Sequence, residues 1–420
     1  MPGDRTDGMA AVLAAIRAQG STTQPQLTQL VGLGRSVVAQ RVAELEDAGL
    51  VTQDGIGPST GGRAPRRVRL RPEAGLVAGV DMSPVAMRIG VTDLDGRILA
   101  VRRTAIDVED GPEAWLGSLE RDLEQLVEQQ GHATLWGVGV GVPAPVEFES
   151  GRPVAPPALP GWDGYPIRDR LSLRLGVPTW VDNDVNVLAL AELRTNPVAA
   201  LTGDLLYVMV GHGLGAGLVS GGRVHRGANG CAGDIGDVPV ADAGNVICRC
   251  GKVGCLIAVA GAVAIARQAR ELAESGASPA LAELLETSGS LTVADAIVAA
   301  ERGDPAARTM LARVGRYVGG TLATLVGFYN PGLVVLGGDV TASDDVVAAI
   351  RETVERQSPS LATRSLHIER SSMGDDAGLL GAIHLALEAL FSVDCILRWL
   401  PYSSPAGHPE VGVLHASVPA

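Results

Sequence analysis

The sequence contains few aromatic residues and almost no lysine. Phe, Trp and Tyr together make up 3% of the 420 residues, and Lys252 is the only lysine among the 34 basic residues. No apolar run reaches the roughly 20 residues that a transmembrane helix needs. The first residues do not show a basic segment followed by an apolar one, as a secretory signal would. We therefore expect a cytoplasmic protein that does not associate with a membrane.

Cysteine is also scarce, and its distribution is uneven. Three of the five cysteines fall between Cys248 and Cys255. In a cytoplasmic chain such clustering favours a metal site over disulfides. The spacing Cys-x-Cys-x4-Cys, formed by Cys248, Cys250 and Cys255, places three thiols on a short loop where they can converge on one tetrahedral Zn ion. The alternative is three buried, reduced thiols that bind nothing.

Negative charge exceeds positive charge over the whole chain, but not over its N-terminal part. The net charge of −13 by itself argues against nucleic-acid binding. Residues 1–71 carry nine Arg and six acidic residues, a net charge of +3, which leaves −16 for the remainder. Five of those nine Arg lie within residues 63–71. A local positive field of this kind is suited to DNA phosphates.

The N-terminal part has the pattern of three short helices. A Gly follows the first helix at position 20, a Thr-x-x-Gln capping box starts the second at Thr23, and the third is predicted from about Arg35 to Ala48. Each has one apolar face, formed by Met9, Val12, Leu13 and Ile16, by Leu27, Leu30 and Val31, and by Val38, Val42 and Leu45. A tight turn at residues 32–34 between the last two helices predicts a helix-turn-helix.

Two short strands, at residues 50–52 and 68–70, flank a Gly- and Arg-rich segment that is typical of a wing. A recognition helix reads base edges in the major groove, and a basic wing contacts phosphates or the minor groove. The predicted DNA contacts are Arg35, Ser36, Gln40 and Arg41 on the third helix, and Arg63 and Arg66 in the wing. The alternative is a small helical bundle that contacts protein, with its Arg side chains on a solvated face.

The pattern of the remaining chain predicts an α/β fold. Residues 76–81, 87–96 and 97–101 indicate a three-strand meander, residues 113–130 a helix, and residues 135–146 a Gly-interleaved strand. This order resembles one lobe of the actin-like ATPase fold that sugar kinases share. We expect two such lobes, formed by residues 72–187 with 370–391 and by residues 188–369. Residues 1–71 form the DNA-binding domain, and residues 392–420, rich in Pro and Ser, are expected to be a loosely ordered tail.

Five further motifs, in order along the chain, make the resemblance more specific. They are Trp180–Glu192, Gly211–Leu218, Arg226–Asp237, Cys248–Cys255 and Asn330–Gly338. Together with the N-terminal segment they resemble the ROK family of repressors, open reading frames and kinases. The resemblance implies a sugar site in which Asp184 stands at the general-base position and Asn183 at a sugar-contact position. It also implies that the run Gly211-x-Gly213-x-Gly215-x-Gly217 holds nucleotide phosphates, although a tight hairpin explains these glycines equally well.

The loop after Asp81 departs from the pattern of ROK kinases. In those enzymes a Gly-Gly-Thr-like turn grips the transferred phosphate and its Mg ion. Here the residues are Met82-Ser83-Pro84-Val85, so both glycines and the threonine are missing and Pro84 lacks an amide donor. We therefore expect no ATP binding and no catalysis.

Two other positions differ from the family pattern. The histidine that completes the family's zinc site is replaced by Asp237, so the predicted structural zinc, one per chain, is held by the three cysteines with Asp237 or Cys231 in fourth place. Family sugar contacts fall on Asp234, Asp237 and Ile257, of which Asp234 is a shortened acid and Ile257 is apolar. The pocket, with Asn183, Asp184 and Asp234 as candidate ligand residues, has therefore changed its ligand or lost it.

These observations predict a DNA-binding transcriptional regulator, a repressor of carbohydrate-related genes. It would bind a double-stranded operator as a homodimer or homotetramer and respond to a sugar or related molecule between its lobes. The alternative from another class is an ATP-dependent sugar kinase with an accessory DNA-binding domain. A third interpretation is that the body serves only as a dimerisation scaffold.

Overall fold

The computed structural model describes residues 2–56, 65–83, 85–131, 133–156 and 159–415. The chain divides into two compact units, Met1–Asp184 with Gly378–Ala420 and Val185–Ala377. These are called the first and the second unit below. Their limits lie near the lobe boundaries expected from the sequence, and the N-terminal segment belongs to the first unit.

The N-terminal part of the first unit contains three helices and a small sheet. Its elements are α1 (Pro2–Gln19), β1 (Ser21–Thr23), α2 (Gln24–Val31), α3 (Arg35–Asp47), β2 (Val51–Ile56) and β3 (Arg66–Leu70). The strands are antiparallel in the order β1-β3-β2. Leu13, Leu27 and Leu45, one from each helix, are completely buried. The three predicted helices are confirmed, and they share an apolar core.

The capping box predicted at Thr23 is present. The backbone N–H of Gln26 donates to the Thr23 hydroxyl at 3.4 Å, and the backbone N–H of Thr23 donates to the Gln26 side-chain oxygen at 2.9 Å. Gly32 ends α2 with a φ of 68°. The prediction for Leu30 is wrong, since this side chain is 53% exposed. The short α2 buries only Leu27 completely, so its apolar face is narrower than the sequence indicates.

The larger sheet of the first unit has five strands in the order β10-β7-β4-β5-β6. Its elements are β4 (Leu76–Met82), β5 (Ala86–Asp93), β6 (Ile98–Ala105), α4 (Gly111–Glu128), β7 (Leu135–Val142), α5 (Ile167–Leu175) and β10 (Thr179–Asn183), with a small hairpin of β8 (Val146–Glu147) and β9 (Arg152–Pro153). The predicted meander is confirmed as the antiparallel strands β4, β5 and β6. Strands β4, β7 and β10 are parallel, so their carboxyl ends share one edge.

The second unit also has a five-stranded mixed sheet, in the order β13-β12-β11-β14-β15. Its strands are β11 (Leu205–Val210), β12 (Leu214–Ser220), β13 (Arg223–Val224), β14 (Leu333–Gly337) and β15 (His367–Arg370). Its helices are α6 (Asp184–Thr195), α7 (Pro197–Thr202), α8 (Leu256–Ala260), α9 (Ala262–Glu274), α10 (Pro279–Ser288), α11 (Val293–Glu301), α12 (Pro305–Tyr329), α13 (Asp344–Gln357) and α14 (Ser360–Thr363). Each unit therefore combines a mixed sheet with helices, as the α/β prediction requires.

The C-terminal segment returns to the first unit. Helix α15 (Ala377–Leu390) packs directly on the sheet, where a Cβ on Gly139 would lie 1.9 Å from the carbonyl oxygen of Ala382. Helix α16 (Val393–Trp399) and short 3-10 turns up to His415 follow it. No single helix of the described residues is long and apolar enough to cross a membrane, while α15 and α16 with their flanking turns, bent by 67°, pass this test as a pair by length and composition alone.

The expectation of a loosely ordered tail is wrong for residues 393–415. Cys395 and Trp399 are almost completely buried. The Trp399 ring lies 5.3 Å from that of Trp136 and 6.3 Å from that of Phe391, measured between centroids. Helix α16 also packs against α1. The Pro and Ser content of this segment, which led us to expect disorder, is compatible with a small apolar core.

Candidate nucleic-acid interface and metal centre

Helix α3 presents a polar face to solvent. Arg35, Ser36 and Gln40 are exposed, while Val38 and Val42 on the opposite face are buried. The residues between α2 and α3 form a short turn that starts at Gly32. An exposed Arg, Ser and Gln on the second helix of such a motif can donate to and accept from base edges in a major groove.

Arg41 lies in a different environment from the other predicted contacts on α3. Its guanidinium donates to the Glu44 carboxylate at 2.5 Å, and its side chain is only 12% exposed. Glu44 also pairs with Arg5 of α1 at 2.9 Å. The hydrogen bond from Arg41 outweighs the effect of burial and lowers the pKa of Glu44. In this arrangement Glu44 connects α3 to Arg5 of α1, and Arg41 of its own helix pairs with the same carboxylate.

The predicted wing is described only at its two ends. Arg63 lies outside the described residues. Arg66 is exposed at the start of β3, where it donates to the Gln53 side chain at 3.2 Å. Arg67 donates to the Ser21 hydroxyl at 3.0 Å, which ties β3 to β1. Arg69 lies 3.6 Å from Asp54 and 3.7 Å from Asp95, so its charge is partly neutralised within the first unit.

The three clustered cysteines come together in the second unit. The Sγ atoms of Cys248, Cys250 and Cys255 all lie within 4.8 Å of one another, and those of Cys250 and Cys255 are 3.6 Å apart. Thiolates bound to one zinc ion are separated by about 3.8 Å, because the Zn–S bond is about 2.3 Å and the geometry is tetrahedral. The cluster therefore has a spacing that fits a metal ion.

Backbone hydrogen bonds hold the cysteine loop in shape. The N–H of Cys248 donates to the carbonyl of Lys252 at 2.8 Å, and the N–H of Gly254 donates to that of Val246 at 2.8 Å. The N–H of Leu256 donates to the carbonyl of Val238 at 2.9 Å. The last bond fixes the loop beside the segment that carries Asp234 and Asp237.

Neither candidate for the fourth ligand belongs to the group of three thiols. The Asp237 carboxylate instead accepts from the Lys252 ammonium at 2.9 Å. Cys231 is exposed and also lies outside the group. Burial, followed by the charge of the neighbouring Asp237, raises the pKa of Asp234. A fourth ligand for a metal would require either the Asp237–Lys252 pair to separate or another group to approach.

The candidate ligand residues Asn183 and Asp184 lie at the carboxyl edge of the first unit's sheet. Asp81 pairs in register with Gly141 of β7, which pairs with Asp182 of β10. Because these strands are parallel, Asp81, Asn183 and Asp184 lie at the same sheet edge. The third candidate, Asp234, belongs to the second unit.

The segment after Asp81 closes on itself. The backbone N–H and the hydroxyl of Ser83 both donate to the carbonyl of Ala86, each at 2.9 Å. Pro84 lies outside the described residues. The Asp81 carboxylate packs against the first turn of α15, where a Cβ on Gly378 would lie 2.5 Å from its Oδ1 atom. Asp81 therefore faces a helix N-terminus, where backbone N–H groups favour a negative charge.

Two of the glycines predicted to serve phosphate binding have a packing role. Gly215 and Gly217 lie within β12, which pairs with β11 as an antiparallel hairpin. A Cβ on Gly217 would lie 2.2 Å from the carbonyl oxygen of Val185 in α6. These glycines let α6 approach the sheet, in agreement with the hairpin interpretation.

Sequence reasoning missed a carboxylate beside the same turn. Asp339 directly follows the Asn330–Gly338 motif, and a Cβ on Gly211 would lie 2.6 Å from its Oδ1 atom.

Comparisons with known proteins cover most of the chain. The sequence model of the ROK family matches residues 77–389, and a model described as winged helix-turn-helix DNA-binding matches residues 11–52. The xylose repressor of Caldicellulosiruptor bescii is 28% identical over 384 residues, which cover 91% of this chain and 95% of the repressor. The glucokinase of Halalkalibacterium halodurans is 29% identical over 306 residues, which cover 72% of this chain and 92% of the kinase.

A solved structure resembles the chain over nearly its full length. It is a ROK family transcriptional regulator described as a homologue of the Escherichia coli MLC protein, with a TM-score of 0.79 and 22% identity. The alignment covers 98% of this chain and 99% of that one. This likeness confirms the predicted fold, a helix-turn-helix segment followed by a sugar-kinase-like α/β body.

Proposed function

Because this chain belongs to the ROK family, we propose that it is a DNA-binding transcriptional regulator that represses carbohydrate-related genes. The observation that carries the proposal is the union, in one chain, of a winged helix-turn-helix with a ROK body. The similarity to the xylose repressor extends over 91% of the chain, whereas that to the glucokinase extends over 72%. The regulator acts in the cytoplasm, and it binds an operator of double-stranded DNA.

Operator binding depends on the exposed face of α3. We expect Arg35→Ala and Gln40→Ala each to weaken binding by about tenfold or more and to relax base preference, since a good side-chain contact to a base contributes roughly 1–3 kcal/mol. If the wing contacts phosphates, Arg63→Ala and Arg66→Ala weaken binding to all DNA sequences more uniformly; if it enters the minor groove, the loss is larger on A·T-rich sites. Fluorescence anisotropy measures these affinities on genomic fragments that the wild-type protein selects.

The matched control is Arg302→Ala, which removes an exposed arginine from the second unit. It changes the net charge by the same amount and should leave operator affinity unchanged. Affinity of the wild type should also fall steeply with salt concentration, as counterion release requires. Equal affinity of Arg35→Ala, Gln40→Ala and wild type would rule out α3 as the recognition helix.

The kinase alternative is less favoured. The turn at Ser83 closes on the carbonyl of Ala86, and the Asp81 carboxylate is packed at the start of α15. Both features support a chain that does not catalyse ATP-dependent phosphorylation. An ADP-release assay over hexoses and N-acetylhexosamines separates the two functions. Robust turnover that Asp184→Asn abolishes would favour the kinase.

The three-thiol cluster is the site of a structural zinc ion, one per chain. Cys248, Cys250 and Cys255 would hold it, and the ion would fix the loop beside Asp234 and Asp237. We expect about one zinc per chain by elemental analysis and a loss of zinc in Cys250→Ser. Comparison of Asp237→Ala with Cys231→Ser identifies the fourth ligand, since only replacement of the true ligand lowers zinc affinity. A wild-type protein that is as stable without zinc as with it would contradict the assignment.

A sugar or related molecule modulates the regulator through Asn183, Asp184 and Asp234. Only ligands that prefer the native state raise the melting temperature. A thermal-shift screen of sugars and sugar phosphates therefore tests this part, and Asn183→Ala should abolish the shift of any ligand found. No shift by any sugar would favour a body that serves as a scaffold.

A further inference from the structure

The second unit contains a groove of about 580 Å³ between the cysteine loop and two helices. It is lined by residues 243–247, just before the cysteine loop, by Val259 of α8, and by side chains of α9 and α12. It is called the α9–α12 groove below. Asn183, Asp184 and Asp234 do not line it, so it is separate from the ligand residues discussed above.

Two arginines, one from each helix, meet in the groove. Arg313 of α12 donates to the Gln268 side-chain oxygen at 2.7 Å, and the Gln268 amide donates to the carbonyl of Val259 at 3.1 Å. Arg267 of α9 donates to the carbonyl of Ala258 at 3.5 Å. Because Ala258 and Val259 are neighbours near the end of α8, these bonds bring both guanidinium groups to the same part of the groove.

The two positive charges are only partly neutralised within the protein. Among the residues that the structure describes, no carboxylate pairs with Arg313, whose hydrogen-bond partner is a neutral amide. Glu271 is the only acidic residue found in the described lining. Its carboxylate lies 3.8 Å from the Arg267 Nε atom, beyond hydrogen-bond distance, and its side chain is 67% exposed. The groove is therefore locally positive, although residues 72–420 carry a net charge of −16.

The remaining lining offers apolar contacts and is held in place. The Tyr317 hydroxyl donates to the carbonyl of Asp242 at 3.2 Å, which ties α12 to the segment that carries residues 243–247. Val259 is buried, and Ile247 is 74% exposed. An organic ligand can therefore place its hydrocarbon part on these side chains while its charged groups meet the arginines.

We propose that the α9–α12 groove binds a small organic dicarboxylate, with one carboxylate at Arg267 and the other at Arg313. A guanidinium group presents paired N–H donors that match the two oxygens of a carboxylate. Two arginines on different helices favour two separate acidic groups over one compact anion, and the apolar lining favours a hydrocarbon chain between them. The site shares no residue with α3 or the wing, so it does not depend on the proposed operator binding.

The test titrates small molecules into the full chain without DNA, by isothermal titration calorimetry at low ionic strength, where exposed charge contacts are screened least. Glutarate, adipate and pimelate differ in the distance between their two carboxylates. Adipamide is the neutral analogue of adipate, and inorganic phosphate carries its charge at one centre. The best of the three dicarboxylates should bind at least about fivefold more tightly than adipamide or phosphate, the preference that two partly solvated charge contacts give together.

Variants with matched controls assign the binding to the groove. Arg267→Gln and Arg313→Gln should each weaken binding of that dicarboxylate by about threefold, the effect of one partly exposed charge contact. Arg270→Gln and Arg316→Gln are the controls, since these arginines are exposed on the same two helices and do not line the groove. They change the net charge by the same amount and should leave the affinity unchanged. Glu271→Gln removes the acidic side chain from the groove and should tighten binding.

Hydrogen exchange locates the ligand independently of the variants. The bound dicarboxylate should slow exchange of the backbone amides of residues 243–247 and leave those of α3 unchanged. Circular dichroism verifies that each variant folds, and the comparison of probes on the wild type does not depend on any variant.

Four results would each overturn the proposal. The first is no binding of any of the three dicarboxylates at millimolar concentration. The second is binding of adipamide or phosphate that is as tight as that of the best dicarboxylate. The third is equal weakening in the control variants and in the Arg267 and Arg313 variants, and the fourth is unchanged exchange of residues 243–247 with the ligand bound. None of these results alters the proposed operator binding, which is measured on α3 variants.

Discussion

At the scale of single residues, Glu44 is the point at which the first and third helices are joined. It accepts from Arg41 of its own helix and from Arg5 of α1. Glu44→Gln keeps the shape and removes the charge. We expect it to lower the free energy of unfolding of the N-terminal segment by about 1.5–3 kcal/mol, the range for hydrogen bonds to a charged group. Hydrogen exchange of α1 and α3 amides measures this effect.

The same pair gives a pH dependence with a definite sign. Arg41 holds the pKa of Glu44 below its usual value in the folded protein. The stabilisation is therefore fully present above the ordinary glutamate pKa and is lost as the pH falls through the lowered one. The difference between wild type and Glu44→Gln should vanish in acid. Glu46→Gln, on the same helix, is the control, and an equal effect of both substitutions would contradict the role of Glu44.

Residues whose role depends on neighbours in the chain could be predicted from the sequence, and others could not. Thr23 and Gln26 are three positions apart, so the capping box is a local pattern. The spacing of Cys248, Cys250 and Cys255 is equally local. The Arg41 side chain packs beside Gly8 of α1, 33 positions away, and Asp339 lies beside the turn at Gly211, which is also distant in the sequence. Such contacts are set by tertiary packing, which no local spacing encodes.

At the scale of elements, the C-terminal segment links the helix-turn-helix to the body within the first unit. Helix α16 packs against α1, and the Trp399 indole N–H donates to the carbonyl of Leu390 at 3.0 Å. Arg17 of α1 lies over the ring of Phe391 at 5.8 Å. The composition of this segment predicts disorder, because polar and Pro residues are interspersed with the apolar ones. Five of its apolar residues are nevertheless buried, namely Cys395, Ile396, Trp399, Leu400 and Leu414.

This arrangement makes a prediction about coupling. Trp399→Ala should lower the free energy of unfolding by about 3–5 kcal/mol, as removal of a buried aromatic side chain does. Faster hydrogen exchange should appear in α1 as well as in α16, because the two helices share a contact. Tyr402→Ala, at a side chain that is 45% exposed, is the control and should have little effect. Faster exchange confined to α16 would show that α1 does not depend on the C-terminal segment.

At the scale of the whole molecule, the charge distribution limits how DNA is approached. The body carries a net charge of −16 and residues 1–71 carry +3. A strongly negative body repels phosphates, so favourable contacts are confined to the N-terminal segment. The overall charge of −13 by itself argues against DNA binding. Its distribution instead favours binding through the N-terminal segment over non-specific contacts with the body.

A single N-terminal segment with a net charge of +3 offers few phosphate contacts, and a second copy doubles them. We therefore expect the operator complex to contain a homodimer or a homotetramer, with a two-fold symmetric footprint whose half-sites are about 34 Å apart, one turn of DNA. Hydroxyl-radical footprinting measures the spacing, and sedimentation velocity measures the mass of the free and bound protein. Arg35→Ala should weaken both half-sites together, because symmetry places the same side chain in each. Protection of one half-site by a monomer would contradict the symmetric mode of binding.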